Sequence, residues 1–173
     1  MPKIIENVRE QLLSEARRQI AERGYANTTM RSVARECGLA VGTVYNYFSS
    51  KDMLIATFMA EEWKSCLDEI SESVIDDPKA LLLSVYNVIS SFSKKHSALF
   101  LDPEAAKVFA TVGTMRHRQL RSQLAAVILP ICKKSCPENS AFAAEFIIES
   151  ILTWTHDGVE FDEIYWILEK IIK

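Results

Sequence analysis

The chain has 173 residues, 49% apolar and 25% charged, with a formal net charge of −3. That composition excludes a disordered chain and allows one domain or two small ones. Five glycines and five prolines are too few for the many turns of a β-sandwich or barrel, and no apolar run reaches the ~18 residues of a membrane span.

The N-terminus, Met1-Pro2-Lys3-Ile4-Ile5-Glu6, is charged from the third residue and has no apolar signal-peptide core. Four cysteines, Cys37, Cys66, Cys132 and Cys136, are too sparse for a disulfide framework. Both features point to a cytoplasmic protein with reduced thiols. Charge is unevenly spread. Residues 1–52 hold eight Lys/Arg against six Asp/Glu, a balance of +2, and residues 53–173 hold twelve against seventeen, a balance of −5. Six of the nine arginines lie in the first 35 residues. The pattern is a small basic head on an acidic body, the sign expected of a head that meets nucleic acid.

Apolar residues recur at Ile5, Val8, Leu12, Ala16 and Ile20, the spacing of an amphipathic helix. Gly24 follows as its C′ residue. Asn27-Thr28-Thr29 offers N-caps for a short second helix with Met30, Val33, Ala34 and Cys37 on one face. Gly38 ends it. A third short helix begins near Val41 and buries Val44 and Phe48. Ser49-Ser50 caps a longer fourth, which extends to about Val74. Asp77-Pro78 starts a fifth helix, running to about Lys95, and Asp102-Pro103 repeats the same signal. The stretch after it reads as helical with an interruption near Thr111-Val112-Gly113, then as a long helix ending near Pro130 or Cys136-Pro137. Asn139-Ser140 opens another, His156-Asp157-Gly158 closes it, and a last helix runs from about Asp162 to the end. No segment alternates with period two. The expected fold is all-α with about nine helices, divided into residues 1–50 and 51–173.

Two short helices joined around Gly38-Leu39-Ala40 form the helix-turn-helix arrangement, whose second helix fits the DNA major groove. The glycine is expected to let the helices cross without a Cβ clash. Val33, Ala34, Leu39, Val44 and Phe48 would lock the crossing, and Tyr25 and Phe48 read as core. The residues that carry this arrangement are Gly24-Tyr25, Thr29 two before Arg31, Val33-Ala34, Gly42-Thr43-Val44-Tyr45-Asn46-Tyr47-Phe48 and Ser50-Lys51-Asp52-Met53-Leu54. Over about 30 residues they resemble the N-terminal signature of TetR-family (tetracycline-repressor-type) transcriptional regulators. The resemblance implies a homodimer in a bacterial cytoplasm, double-stranded operator DNA as partner, and repression relieved by a small-molecule effector.

Eight residues are the expected DNA contacts. Thr29 caps the second helix and can donate to a phosphate. Arg31 lies in the same turn and, by the resemblance, reaches the backbone or a base edge. Val41, Gly42 and Thr43 open the recognition helix. Gly42 permits close approach, Thr43 can hydrogen-bond, and Val41 can touch a thymine methyl. Tyr45 and Tyr47 either offer hydroxyls to phosphates or pack as rim aromatics. Lys51 matches the family's phosphate-binding lysine.

In the body, residues 141–154 are apolar at ten of fourteen positions, and Glu145, Glu149 and Thr153 form a narrow polar stripe. Such a helix needs cover on two sides. Ile147, Ile151, Trp154, Ile164, Ile167, Leu168 and Ile171 are the expected dimer contacts, matching the pairing of the last two helices that the resemblance implies. The alternative places both helices in the core of a monomer. Trp63, Tyr86, Phe92, His96, Phe109 and Met115 are the candidate effector-pocket residues, with ordinary core packing as their other reading. Cys132 and Cys136 stand four apart and read first as one buried and one exposed cysteine near a helix end, while the flanking Lys133 and Lys134 would favour thiolate if both faced one way. A thiol- or metal-sensing regulator on the same scaffold is therefore the first alternative, and a helical interaction module without DNA binding the second. Two cysteines with no neighbouring histidine do not make a zinc site. No catalytic constellation, metal site or cofactor motif is visible, so the expectation is a regulator and not an enzyme.

Overall fold

A computed structural model describes residues 7–72 and 75–172, the side chains at 72 and 108–116 excepted. Among the described residues there are nine α-helices and no strand. They are α1 (Val8–Arg23), α2 (Met30–Glu36), α3 (Val41–Tyr47), α4 (Lys51–Glu72), α5 (Pro78–Lys95), α6 (Ser97–Phe100), α7 (Pro103–Ser135), α8 (Ser140–His156) and α9 (Phe161–Leu168), with a 3-10 turn at Pro137–Asn139. No helix among them is long and apolar enough to cross a membrane. The expected helical positions at Ile5 and Val74 lie outside the described residues.

The helix starts follow local chemistry. Ser50 Oγ accepts from Met53 N at 3.2 Å, Asp77 Oδ2 from Ala80 N at 2.8 Å, and Asp102 Oδ1 from Glu104 N at 2.8 Å and Ala105 N at 3.0 Å. Each bond satisfies an amide that the first turn leaves without a helical partner. Two expectations need correction. No break occurs at Thr111–Gly113; of the two ends expected for the helix that follows, α7 takes the later one, running through Pro130 to Ser135. A proline removes one intrahelical bond, and in a 33-residue helix the remaining bonds and the buried face outweigh it. The last helix stops at Leu168 and ends in turns. The short α6 was not foreseen, because four residues carry no readable period.

The chain divides into two compact units, Met1–Trp63 with His96–Thr111 and Lys64–Lys95 with Val112–Lys173. The first is built around one core. Leu12, Leu13, Ala16 and Ile20 of α1 meet Met30, Val33 and Ala34 of α2, Val44 of α3, Phe48, and Leu54, Ile55 and Phe58 of α4. Leu99 and Ala105 complete it. Tyr25 and Phe48 are buried, as expected. In the second unit α5 packs on α8 and α9. Its interior holds Leu82 and Val85, Leu124 and Ile128, Ile147, Ile148 and Ile151, and Leu168.

Candidate nucleic-acid interface

Thr29 is the N-cap of α2. Its hydroxyl accepts from Ser32 N at 3.0 Å while Ser32 Oγ accepts from Thr29 N at 3.0 Å, a reciprocal capping box. Ser32 Oγ also donates to Gln19 Oε1 at 2.5 Å, and Gln19 Nε2 donates to Glu15 Oε1 at 2.7 Å. Gln19 is fully buried. A polar chain thus ties the start of α2 to α1, and a buried amide with both ends satisfied holds that geometry.

The turn after α2 closes through Leu39 N to Ala34 O at 2.9 Å and Gly38 N to Arg35 O at 3.1 Å, with Gly38 at φ +67°. This is a Schellman closure, which needs a left-handed residue. A Cβ on Gly38 would meet nothing within 4 Å. The glycine is therefore required by its backbone angle, and the expected Cβ clash is not the reason.

Within α3 only Val44 is buried. At about 100° per residue, Gly42 and Asn46 both point roughly 160° away from Val44. Thr43 lies on one flank, half-buried, and Tyr45 on the other, exposed. Val41 and Tyr47 sit closer to the core side on opposite shoulders, and both are exposed. The two tyrosines are thus rim side chains with open hydroxyls rather than packed aromatics. Asn46, at the centre of the exposed face, was not singled out from sequence. Its signal was its position two residues after an apolar anchor.

Lys51 opens α4. Its ammonium donates to Tyr25 O at 3.0 Å and lies 3.5 Å from the Tyr25 ring centroid. The Tyr25 hydroxyl donates in turn to Asp52 Oδ1, and burial together with this bond pushes the phenol well above its usual range. Lys51 is held in place by one of its three donors and keeps the others. Thr29, Arg31, Tyr45, Ser49, Ser50 and Lys51 together line an open concavity of about 410 Å3.

Most of the head's arginines are engaged internally. Arg9 pairs with Glu61 at 2.5 Å, Arg17 with Glu62 at 2.8 Å, Arg18 with Glu15 and Glu22 at 2.6 Å each, and Arg35 with Glu36 at 3.0 Å. Among the described residues, Arg31 has no acidic partner. The cations offered at the concavity are therefore Arg31 and Lys51. An exposed helix flanked by hydroxyls and two cations has the shape and chemistry of a major-groove reader.

Residues 12–57 match the sequence profile of the bacterial regulatory proteins of the tetR family. The head of the chain carries the N-terminal domain of the TetR family. The match covers most of α1, all of α2 and α3 and the start of α4, and it includes the elements that carry the resemblance. The HTH-type transcriptional regulator PksA of Bacillus subtilis is 35% identical over 89 residues, 49% of this chain and 43% of that protein. The chain spans between 24% and 56% of the length of the first curated relatives. The structure of the fatty acid degradation regulator FadR from Bacillus halodurans superposes with a TM-score of 0.63 at 18% identity, over 98% of this chain and 97% of that one. Thermus thermophilus FadR, solved in complex with lauroyl-CoA, gives 0.60 at 16% identity, over 95% and 92%. At these identities the two structures share the fold. The relatives are named transcriptional regulators, not enzymes.

The expected dimer contacts divide into three groups. Ile147, Ile151, Ile164 and Leu168 are buried within the chain's own second unit, so they are core and not an outer surface. Ile171 is half-buried, its carbonyl accepting from Cys136 Sγ at 3.1 Å. Trp154 and Ile167 are exposed, and so are Phe142, Phe146 and Trp166, which sequence reading did not select. The polar stripe of α8 turns toward α7, where His117 and Arg121 meet Glu149 at 2.9 and 3.3 Å. Burial opposes ionisation of Glu149, yet the bonds from His117 and Arg121 hold its carboxyl below the usual range.

None of the expected pocket residues with described side chains lines the cavity of the second unit given below. Trp63 and His96 are buried in the first unit, His96 at 3.0 Å from Glu62. Tyr86 donates to Val159 O at 3.1 Å, and its ring lies tilted against Phe161 with centroids 5.6 Å apart, a structural role in the second unit. Phe92 is half-buried. The side chains of Phe109 and Met115 lie outside the described residues. The second unit instead holds a cavity of about 550 Å3, lined among others by Ile70, Leu81, Gln123, Val127, Ile131 and Lys134. The thiolate expectation also fails at Cys132. That thiol is fully buried, and burial raises its pKa above the usual value.

Proposed function

We propose that the chain is a homodimeric transcriptional repressor that binds a pseudo-palindromic operator and is released by a small ligand. Residues 1–50 form its DNA-binding domain and residues 51–173 its effector and dimerisation domain, and it works in the cytoplasm. The observation that carries this reading is the exposed face of α3 beside the concavity of Thr29, Arg31, Tyr45 and Lys51. The tyrosine hydroxyls, Thr29 and the two cations contact phosphates, and α3 lies in the groove. Two copies meet through the exposed aromatic side of α8 and α9, with Phe142, Phe146, Trp154, Trp166 and Ile167. The effector enters the cavity of the second unit, whose volume is that of ordinary ligand sites. A long-chain acyl-CoA is the first probe, since one structure of the same fold holds lauroyl-CoA.

Retardation of duplex DNA from upstream of the chain's own gene tests the central claim. Binding at nanomolar protein supports it, and retardation no tighter than that of unrelated duplex overturns it. Arg31→Ala and Lys51→Ala should each weaken every sequence by a similar factor. Each should also flatten the slope of log K against log salt by about 0.9 for each phosphate no longer neutralised. An unchanged slope would remove these residues from the phosphate contacts.

Release by a ligand has a reciprocal consequence. If a ligand lowers operator affinity 100-fold, ~2.7 kcal/mol of coupling is involved, and operator DNA must weaken that ligand equally. Calorimetry of the acyl-CoA with and without operator measures both. Equal ligand affinities in the two titrations would leave the repressor without an effector of this kind.

A further inference from the structure

Asn46 has a placement that no other polar side chain of α3 shares. It lies opposite buried Val44, one turn after Gly42, and is exposed. Among the described residues nothing hydrogen-bonds its carboxamide. The other exposed or half-exposed side chains of the helix are a valine, a threonine and two tyrosines. They offer hydroxyls or apolar surface, so Asn46 alone presents a donor and an acceptor side by side.

Reach is the limiting quantity for asparagine, whose carboxamide stands only one methylene from the backbone. It can meet a base edge only where the helix comes very near the groove floor. Gly42 supplies that approach on the same face, since no side chain there holds the helix away. A Cβ on Gly42 would point into open space in the free protein. The flat central strip of Gly42 and Asn46, with Thr43 and Tyr45 to either side, is the region of α3 that can sit deepest.

We propose that Asn46 reads an adenine in each operator half-site, an assignment that rests on the DNA-binding function proposed above. Adenine shows the N7 acceptor and the N6 donor side by side in the major groove. The asparagine amide donates to N7 while its carbonyl accepts from N6. Guanine offers two acceptors, N7 and O6, and would set O6 against the amide carbonyl. Thymine and cytosine allow one bond each. The pairing discriminates for A·T by roughly tenfold or more.

The test uses the full chain and begins with selection of bound duplexes from a randomised library. Enrichment of no sequence would overturn the DNA-binding reading itself, and this proposal with it. Given an enriched site, each base pair is varied singly, and each adenine is replaced by 7-deazaadenine, which lacks the N7 acceptor. We expect one A·T position per half-site at which 7-deazaadenine lowers wild-type affinity about tenfold. Asn46→Ala should lose the preference at that position alone, become insensitive to 7-deazaadenine there, and keep the wild-type melting temperature within a few degrees. Asn46→Ala that retains every wild-type base preference, or that loses affinity equally for all sequences, would overturn the assignment while leaving the function intact.

Discussion

Trp166→Arg should give a folded monomer that no longer retains operator DNA. Trp166 is 63% exposed in the isolated chain, so the substitution leaves the second unit's core untouched. In the proposed dimer that face is covered, and an unpaired buried charge costs roughly 3–5 kcal/mol. A dimer with a micromolar dissociation constant then weakens about a thousandfold. Operator affinity falls with it, because two half-sites are held together only while the copies are linked, and that linkage contributes roughly 100- to 10,000-fold. Ile151→Arg is the contrasting variant. Ile151 has no exposure even in the single chain, so an arginine there should unfold the second unit instead of separating a pair of folded copies. Sedimentation separates dimer from monomer, and circular dichroism separates folded from unfolded. Trp166→Arg that sediments as a dimer and still shifts DNA would refute the α8–α9 interface.

Gly42→Ala should raise the melting temperature and lower DNA affinity together. Alanine in a helix is more favourable than glycine by about 0.5–1 kcal/mol. The added methyl meets nothing in the free protein, so no steric term offsets the gain. Against DNA the same methyl stands between the outer face of α3 and the groove floor. Affinity should fall by at least tenfold, ~1.4 kcal/mol. Opposite signs from one methyl group cannot come from damage to the fold. Unchanged or tighter DNA binding by this variant would show that the Gly42 face is not the one that approaches the bases.

The helical fold was legible in the chain because apolar residues recur at helical spacing and four helix starts, at Thr29, Ser50, Asp77 and Asp102, carry a capping side chain. Asp77-Pro78 and Asp102-Pro103 are the clearest, and their side chains cap the first turns in the structure. The head was legible for a second reason: α2, α3 and the turn between them are short, so each residue has one role. The body was less so. In α8 nearly every position is apolar, and an apolar period cannot say which side faces the chain's own core. The structure sends the branched aliphatics Ile147, Ile148 and Ile151 inward and leaves Phe142, Phe146 and Trp154 outside. Aromatic side chains such as Tyr86 also serve as ordinary struts, so helical spacing of aromatics does not by itself mark a pocket. Asn46 was missed because the resemblance rests on its tyrosine neighbours.

The glutamates that neutralise Arg9, Arg17, Arg18 and Arg35 bear on how such a head behaves in a whole genome. Affinity for arbitrary duplex rises with the number of phosphates neutralised, so every free cation strengthens millions of wrong sites along with the right one. A head that keeps most of its arginines paired clings weakly to bulk chromosome. Few molecules are then stranded on irrelevant sequence, and a modest number of copies suffices to occupy one operator. On the proposed DNA-binding function, the internal ion pairs lower the background against which the bases are read, a gain in selectivity that requires no additional contact with the operator itself.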